Sequence, residues 1–347
     1  MDKLRAVVHG TVLLLIIGWV LYIGQNIFVP AVLGAVIVYV IVGLAHALGR
    51  LPRVGRALPL QLRYLFSMAV IAMAFFLLAY LIMANKDRAM LLAPQYQQSL
   101  LVAIQSIAVF FGVETEPTWA TLRQELMAQI NLQRLFGSLL ASMGSILVTF
   151  VVVFLYATFL LVERRAFETK LANLSDDPQR VARIREVIQA INRRIGSYLA
   201  LKTLLSILLG AVSWGIMVLF GLEFAAMWAV LIAFLNFVPY IGSVLGVVFP
   251  VLMAVVQFQE LGTILSLLVA LTAVQFVIGN FLDPYVMGNS LNLSPFAILI
   301  SLAVWSELWG IPGAFLAVPI TAIITIVFSE CPGTRPIAVL LSQSGRL

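Results

Sequence analysis

Charged side chains are scarce in this sequence. Of its 347 residues, 10% are Asp, Glu, Lys or Arg, and 62% are hydrophobic. A soluble domain usually carries about 25% charged and about 45–50% apolar residues. The chain therefore lacks the polar surface that a globule needs in water. A β-barrel is excluded as well, because barrel strands are short and alternate in polarity, whereas the apolar runs here are continuous.

Cysteine and histidine are also nearly absent. Cys331 is the one cysteine, and His9 and His46 are the two histidines. One cysteine excludes an internal disulfide, and two histidines exclude most histidine-based metal sites. The sequence contains no GxxxxGK[ST] pattern for ATP, no HExxH pattern and no plausible Cys/His pair. We therefore expect no metal, no cofactor and no enzymatic activity.

Long segments without any charge are what the sequence does contain. A helix needs about 20 apolar residues to cross about 30 Å of hydrocarbon, and the charge-free segments provide roughly eight of that length. We predict an all-α polytopic membrane protein of about eight membrane segments. These segments are residues 8–27, 29–48, 64–84, 138–161, 199–219, 225–257, 262–281 and 296–328.

Basic residues predict the orientation, because Lys and Arg near span ends stay in the cytoplasm. The segment 49–63 has four arginines and no acid, and the segment 163–195 has eight basic residues against five acids. Both are predicted inside, whereas 85–137 balances four against four and is predicted outside. We expect a multi-pass membrane protein with both termini in the cytoplasm. The net charge of +6 reflects this bias, so no nucleic-acid partner is expected.

Two segments outside the bilayer have helical patterns. Glu116 and Pro117 predict a helix start in the outer segment, which we interpret as an extracytoplasmic helical cap. Asp177 and Pro178 predict the start of an amphipathic cytoplasmic helix, which would lie on anionic lipid or pack against its own bundle. The expected domains are membrane helices 1–84, the cap 85–137, a membrane helix 138–162, the amphipathic helix 163–198, a transport unit 199–330 and a cytoplasmic tail 331–347.

Two of the apolar segments are interrupted near their middle. Residues 225–257 would form a straight helix of ~50 Å, which is too long for one span, and Pro239 and Gly242 lie at their centre. Residues 296–328 repeat this plan around Gly310 and Gly313. Such paired interruptions are the usual sequence indication of the binding site of a secondary transporter. They are either re-entrant hairpins, leaving six full crossings, or kinked spans, giving eight.

Polar residues at membrane depth are costly, so they are candidates for function. Glu307 lies just before the second interruption and is the best single candidate for a proton or cation site. Asn236, Asn280 and Asp283 supply further oxygen atoms, which hard cations prefer. Lys202, early in the fifth span, is expected to extend its ammonium towards the interface. The predicted substrate or ion pathway consists of Asn236, Pro239, Gly242, Asn280, Asp283, Glu307, Gly310 and Gly313.

Three motifs in order resemble the autoinducer-2 exporter (PerM-like) transporter family. They are Asn-Phe-Val-Pro-Tyr-Ile-Gly at 236–242, Asn-Phe-Leu-Asp-Pro-Tyr-Val-Met-Gly at 280–288 with Leu-Ser-Pro at 293–295, and Gly-Ile-Pro-Gly-Ala-Phe-Leu-Ala-Val-Pro at 310–319. The resemblance extends over essentially the whole chain. It implies an inner-membrane permease that forms a homo-oligomer, with pentamers suggested for members of the family.

The resemblance also implies a function, with alternatives. The family is named for export of the signal molecule autoinducer-2, and some relatives are described as sodium or lithium/proton antiporters. We therefore expect a secondary transporter of small polar solutes driven by an ion gradient, with membrane lipid and a small molecule or ion as its partners. A cation/proton antiporter and a passive oligomeric channel remain as alternatives.

Overall fold

The protein is built from helices. The computed structural model describes residues 2–50, 58–110, 132–258, 260–287 and 291–345. The expected helix start at Glu116 and Pro117 lies outside these residues, as do Arg53 and Arg56 of the basic loop. In chain order the helices are α1 (Asp2–Ile23), α2 (Gln25–Arg50), α3 (Leu60–Phe110), α4 (Leu132–Ala172), α5 (Pro178–Leu219), α6 (Ala225–Leu235), α7 (Ile241–Phe258), α8 (Leu261–Val277), a π-helix (Ile278–Leu282), α9 (Asp283–Met287), α10 (Pro295–Glu330) and α11 (Arg335–Leu341).

Seven helical segments within the described residues are long and apolar enough to cross a membrane. The shorter apolar helices Val8–Ile23 and Ala225–Leu235 accompany them. This confirms the predicted all-α polytopic membrane protein. The number of full crossings depends on whether the two interrupted segments are re-entrant hairpins or kinked spans.

Three helices are much longer than the spans predicted within them. α3 has 51 residues, α4 has 41, and α5, which joins the amphipathic segment and the fifth span, has 42. Pro178 begins α5 as predicted, and the Asp177 carboxylate accepts a hydrogen bond from the Gln179 N–H at 2.9 Å. The apolar face of the amphipathic segment packs inside the protein, since Val181 and Ile195 are buried.

The helices form two compact units, each with its own buried apolar core. The first comprises residues 1–68, 148–201 and 287–347, and the second comprises 69–147 and 202–286. In the first unit the core includes Ile195, Leu199, Trp309 and Leu316. In the second unit it includes Leu209, Ile232, Leu267 and Leu271.

The first interrupted segment, in the second unit, folds as a helical hairpin. α6 and α7 pack against each other, and the N–H of Glu223 donates to the Gln257 side chain at 2.8 Å, so the two outer ends of the pair meet. α6 has 11 residues, or ~16 Å at 1.5 Å per residue, which is about half of the hydrocarbon thickness. α6 by itself is therefore too short to cross that layer.

The second interrupted segment, in the first unit, reverses in the same way. Gly310 has φ 63° and ψ −140°, which breaks α10 into two halves. The Trp305 indole N–H then reaches the Thr321 hydroxyl at 3.3 Å, whereas 16 residues of straight helix would separate them by ~24 Å. Beyond the hairpin, the N–H of Ser294 donates to the Leu341 carbonyl at 2.9 Å, so the chain returns to where α10 begins. Both interrupted segments are thus hairpins, which is one of the two forms that the sequence allows.

Each hairpin turn needs a glycine because backbone lies directly beside it. A Cβ on Gly242 would overlap the carbonyl oxygen of Leu235, and a Cβ on Gly313 would overlap that of Trp305. Gly242 and Gly313, which the sequence indicates as parts of the two interruptions, are therefore positions where neighbouring backbone leaves no room for a side chain.

We predict that Gly242→Ala destabilises the protein by about 1–3 kcal/mol, the usual range for overpacking. Gly262→Ala is the matched control, because no atom lies within 4 Å of a Cβ built there. Thermal unfolding of the purified proteins in detergent, followed by tryptophan fluorescence, measures the difference. Equal unfolding temperatures for the two variants would contradict the tight turn.

Candidate functional site

A largely buried ion pair lies in the second unit. The Lys202 ammonium donates to the Asp283 carboxylate at 2.8 Å. The lysine side chain is 9% exposed and the aspartate side chain is 19% exposed. Removing two charges from water is costly, and the cost is recovered only when the charges meet in good geometry with further hydrogen bonds. The fold must therefore hold the two side chains in a defined geometry.

Two polar residues extend the pair into a network. The Lys202 ammonium also donates to the Asn236 side-chain oxygen at 3.3 Å, and the Asn236 side-chain amide donates to the Ser206 hydroxyl at 3.0 Å. Asn236, Lys202 and Ser206 are all buried. Since Lys202 and Ser206 are four residues apart on α5, they lie on one face of that helix. This face meets the turn that ends α6.

Each partner stands where a helix is interrupted. Asn236 caps α6, and its N–H donates to the Ile232 carbonyl at 3.0 Å. Asp283 directly follows the π-helix Ile278–Leu282 and precedes Pro284. Proline has no N–H and its ring collides with the preceding helical turn, and a π-type turn is one way that a helix accommodates such a disturbance. The helix thus ends at Asn236, and the helical hydrogen-bond pattern changes from π to α at Asp283.

The network leaves acceptor capacity on the carboxylate. Oδ2 of Asp283 binds the lysine, whereas its Oδ1 is buried and has no hydrogen-bond partner among the described residues. Carboxylate and amide oxygens are ligands of hard cations, and the C-terminal end of α6 adds partial negative charge. The site can therefore bind a cation or a hydrogen-bond donor, with the lysine ammonium occupying part of that space.

The structure brings together some of the predicted pathway residues and not others. Asn236 and Asp283 share the Lys202 ammonium, and Pro239 and Gly242 form the turn beside Asn236. Asn280 is exposed, and its side chain donates to the Phe276 carbonyl of its own helix at 3.2 Å. It therefore takes no part in the hydrogen bonds of the Lys202 network.

The remaining predicted residues belong to the first unit. Glu307 is exposed, one helical turn before the α10 turn, and Gly310 and Gly313 shape that turn. They form a separate candidate region on the second hairpin.

Lys202 and Ser206 were not among the predicted site residues. The expected interfacial position of Lys202 is wrong, because Asp283 lies within hydrogen-bond reach and removes any need for its ammonium to extend towards water. The signal available in the sequence was a lysine and a serine one turn apart in an apolar helix.

Comparisons with known proteins indicate what kind of molecule contains this site. Residues 11–333 match the family model described as AI-2E family transporter. The chain is 31% identical to the AI-2 transport protein TqsA of Escherichia coli (strain K12) over 92% of this chain and 90% of that protein. It is 38% identical to a protein of Borreliella burgdorferi over 56% of this chain and 54% of that protein. PerM of Escherichia coli (strain K12) is 29% identical over 42% of each chain.

We predict strong coupling between Lys202 and Asp283. Lys202→Met or Asp283→Asn alone should destabilise the protein by about 3–5 kcal/mol, because each leaves an uncompensated buried charge. The double variant should be more stable than either single one, since no charge then remains to be compensated. A double-mutant cycle of thermal unfolding in detergent measures the coupling.

The control is the more exposed ion pair between Arg88 and Glu223, in which the arginine side chain is 62% exposed. Arg88→Gln should cost no more than about 1 kcal/mol, as is typical of exposed pairs. If the destabilisations caused by Lys202→Met and Asp283→Asn simply added up in the double variant, the two side chains would have no coupling energy, which would contradict the prediction.

Proposed function

Because the chain belongs to the family of AI-2E transporters, we propose that it is a secondary transporter. In this proposal it moves a small polar solute such as autoinducer-2 across the bacterial inner membrane, driven by an ion gradient. The observation that carries the proposal is the buried Lys202–Asp283 pair beside the tip of a helical hairpin. Ionisable groups in membrane segments are rare and usually mark substrate or ion pathways.

The proposed solute and ion contacts begin with the lysine network. Asp283 accepts the coupling ion or proton, and Lys202 is the internal cation that neutralises it when no ion is bound. Asn236 and the turn at Pro239 and Gly242 contact the solute. Irregular backbone at membrane depth is tolerated where it is buried in protein or lines a cavity. A solute-binding site provides such a setting.

We also propose roles for the second hairpin and for Asn280, each considered separately from the Lys202 network. Glu307 is a second candidate for proton or cation exchange, because it is a lone carboxylate beside an interrupted helix. Gly310 and Gly313 let the chain reverse there. Asn280 provides a further amide on the helix that leads to Asp283.

Cation/proton antiport is the second candidate function, and the carboxylate of Asp283 favours it. Its Oδ1 has no partner among the described residues, and the Lys202 ammonium already occupies the place of a monovalent cation. A sodium or lithium ion that displaced the lysine would bind carboxylate and amide oxygens. Loss of one proton from Lys202 would keep the charge of the site unchanged.

The hairpins support a topology of six full crossings. The crossings are α1, α2, α3, α4, α5 and α8, with the α6–α7 pair and α10 each returning to the side from which it started. With the basic loops inside, both termini are cytoplasmic, and residues 85–137 include an extracytoplasmic cap. We also propose a homo-oligomer, with a pentamer as the form that the family resemblance suggests.

We predict that Asp283→Asn abolishes ion-coupled transport. The purified protein in sealed liposomes is given a pH gradient, and sodium, lithium or labelled autoinducer-2 is added. Asp283→Asn should lose dissipation of the gradient by the cations or saturable uptake of the signal molecule, whichever the unmodified protein supports. If it is too unstable to reconstitute, the Lys202→Met/Asp283→Asn double variant replaces it.

Glu307→Gln tests the second hairpin in the same assay, and Glu330→Gln is its control because Glu330 is also exposed on α10. Loss of pH coupling in Glu307→Gln alone would support a role for Glu307 in exchange. Normal coupling in both Asp283→Asn and Glu307→Gln would overturn the site assignment. Flux that never saturates would favour a passive channel.

We predict that residues 291 and 343 are labelled from the same side of the membrane. Single cysteines replace Leu291, Gln343 or Leu261 in a Cys331→Ser background and are tested with an impermeant maleimide in oriented vesicles. Leu291→Cys and Gln343→Cys should react from the cytoplasmic side, as Cys331 does in the unmodified protein, and Leu261→Cys from outside. Opposite sides for 291 and 343 would mean that α10 crosses the membrane fully.

A further inference from the structure

A second buried polar group of the second unit has no partner, and it lies on the helix that leads to Asp283. The Nε2 atom of Gln275, on α8, is buried and has no hydrogen-bond partner among the residues that the structure describes. An amide N–H that is removed from water without a partner costs free energy. A ligand that supplies the missing acceptor would remove this cost.

Gly246 on α7 makes room for the Gln275 amide. A Cβ on Gly246 would lie only 2.8 Å from Gln275 Nε2, and the same point is 3.6 Å from the side chain of Ile232 on α6. Both Gly246 and Ile232 are buried. Ile232 lies one helical turn before Asn236, whose N–H donates to its carbonyl. The Gln275 amide therefore lies against the α6–α7 hairpin, close to the Lys202 network.

A π-helix separates Gln275 from Asp283 and changes which face each occupies. In a regular α-helix, residues eight positions apart are offset by roughly 80° around the axis, whereas residues seven apart are offset by roughly 20°. A π-type turn takes up about one extra residue, so it brings the two side chains close to one face. The contacts agree, because Gln275 lies against Gly246 whereas Asp283 reaches Asn236 through Lys202. Both side chains thus face the hairpin.

The two side chains offer complementary groups without net charge. Gln275 has an unused donor, and Oδ1 of Asp283 is an acceptor with no partner among the described residues. Lys202 balances the charge of Asp283, and the Gln275 amide is neutral. A hydroxyl group both accepts and donates hydrogen bonds, so an uncharged solute with hydroxyl groups matches this pair. Single π-type turns inside helices frequently occur at functional sites.

We propose that Gln275 is a solute-binding residue that gives the transporter its specificity for an uncharged, hydroxyl-bearing solute. Its Nε2 donates to an oxygen of the solute, and a solute hydroxyl donates to Oδ1 of Asp283 while Lys202 neutralises the carboxylate. Gly246 is a positioning residue, because a side chain there would displace the Gln275 amide. This role rests on the transport function proposed above, to which it adds the substrate class.

The test separates binding from folding with Gln275→Met, which keeps the length of the side chain and removes the donor. In sealed liposomes the unmodified protein should take up labelled autoinducer-2 saturably. Gln275→Met should raise KM roughly three- to tenfold, as for the loss of one uncharged hydrogen bond, with a smaller change in the maximal rate. Its unfolding temperature without solute should equal or exceed that of the unmodified protein, because no unsatisfied donor remains.

Gln257 is the matched control, a glutamine of the same unit whose amide has partners. Its side chain accepts from the Glu223 N–H and donates to the Gly221 carbonyl, both at 2.8 Å. Gln257→Met should therefore lower the unfolding temperature and leave KM unchanged, which is the reverse of Gln275→Met. Gly246→Ala should raise KM in the unmodified background and have little further effect on KM in the Gln275→Met background.

An unchanged KM in Gln275→Met would overturn the role of Gln275 and leave the transport function intact. A clearly lower unfolding temperature of Gln275→Met would also overturn it, because the amide would then be structural. If the unmodified protein moves sodium or lithium but not autoinducer-2, the class of uncharged solutes is wrong and ion transport stands.

If the unmodified protein transports nothing, the transport function fails, and binding is measured instead by the unfolding temperature with added autoinducer-2. A rise that Gln275→Met loses would support Gln275 as a binding residue even then. No rise in the unmodified protein would overturn the role of Gln275 as well.

Discussion

In the apolar part of a membrane, every backbone N–H and C=O must find a partner within the protein, and this protein nevertheless interrupts two of its helices there. The first turn meets the requirement with its own backbone. The N–H of Val238 donates to the Leu235 carbonyl and the N–H of Gly242 donates to the Val238 carbonyl, both at 2.9 Å. Both bonds require close backbone approach, which explains why glycine occupies position 242. The hairpins are therefore defined structures whose tips can hold polar groups at depth.

The Lys202 network shows what such a tip makes possible. Asn236 stands where α6 ends, and its side chain meets Lys202 and Ser206 of α5. Asp283 stands after a π-type turn and meets the same lysine. The network connects residues that are 30 to 81 positions apart in the sequence, and all of its members lie in one compact unit. Charge neutrality at this point depends on both partners being present.

The fold was largely predictable because length and hydrophobicity have direct meaning in a bilayer. Pro239 with Gly242, and Gly310 with Gly313, correctly indicated both interruptions. The choice between hairpins and kinked spans required the structure, since it depends on whether Trp305 reaches Thr321 and whether Ser294 reaches Leu341. Helix lengths were underestimated for α3, α4 and α5, because a change from apolar to more polar sequence does not by itself end a helix. α3 continues even through Pro94.

The amino-acid sequence by itself determined the class of the molecule, the positions of its helix breaks and its family, because these follow from local composition and from motifs that are contiguous in the chain. It also identified Asn236 and Asp283 as polar residues placed where polarity is costly. Tertiary structure decided which polar groups meet. The pairing of Lys202 with Asp283 joins residues 81 positions apart. Contacts of this kind depend on how helices pack, and helix packing is set by the whole set of buried side chains.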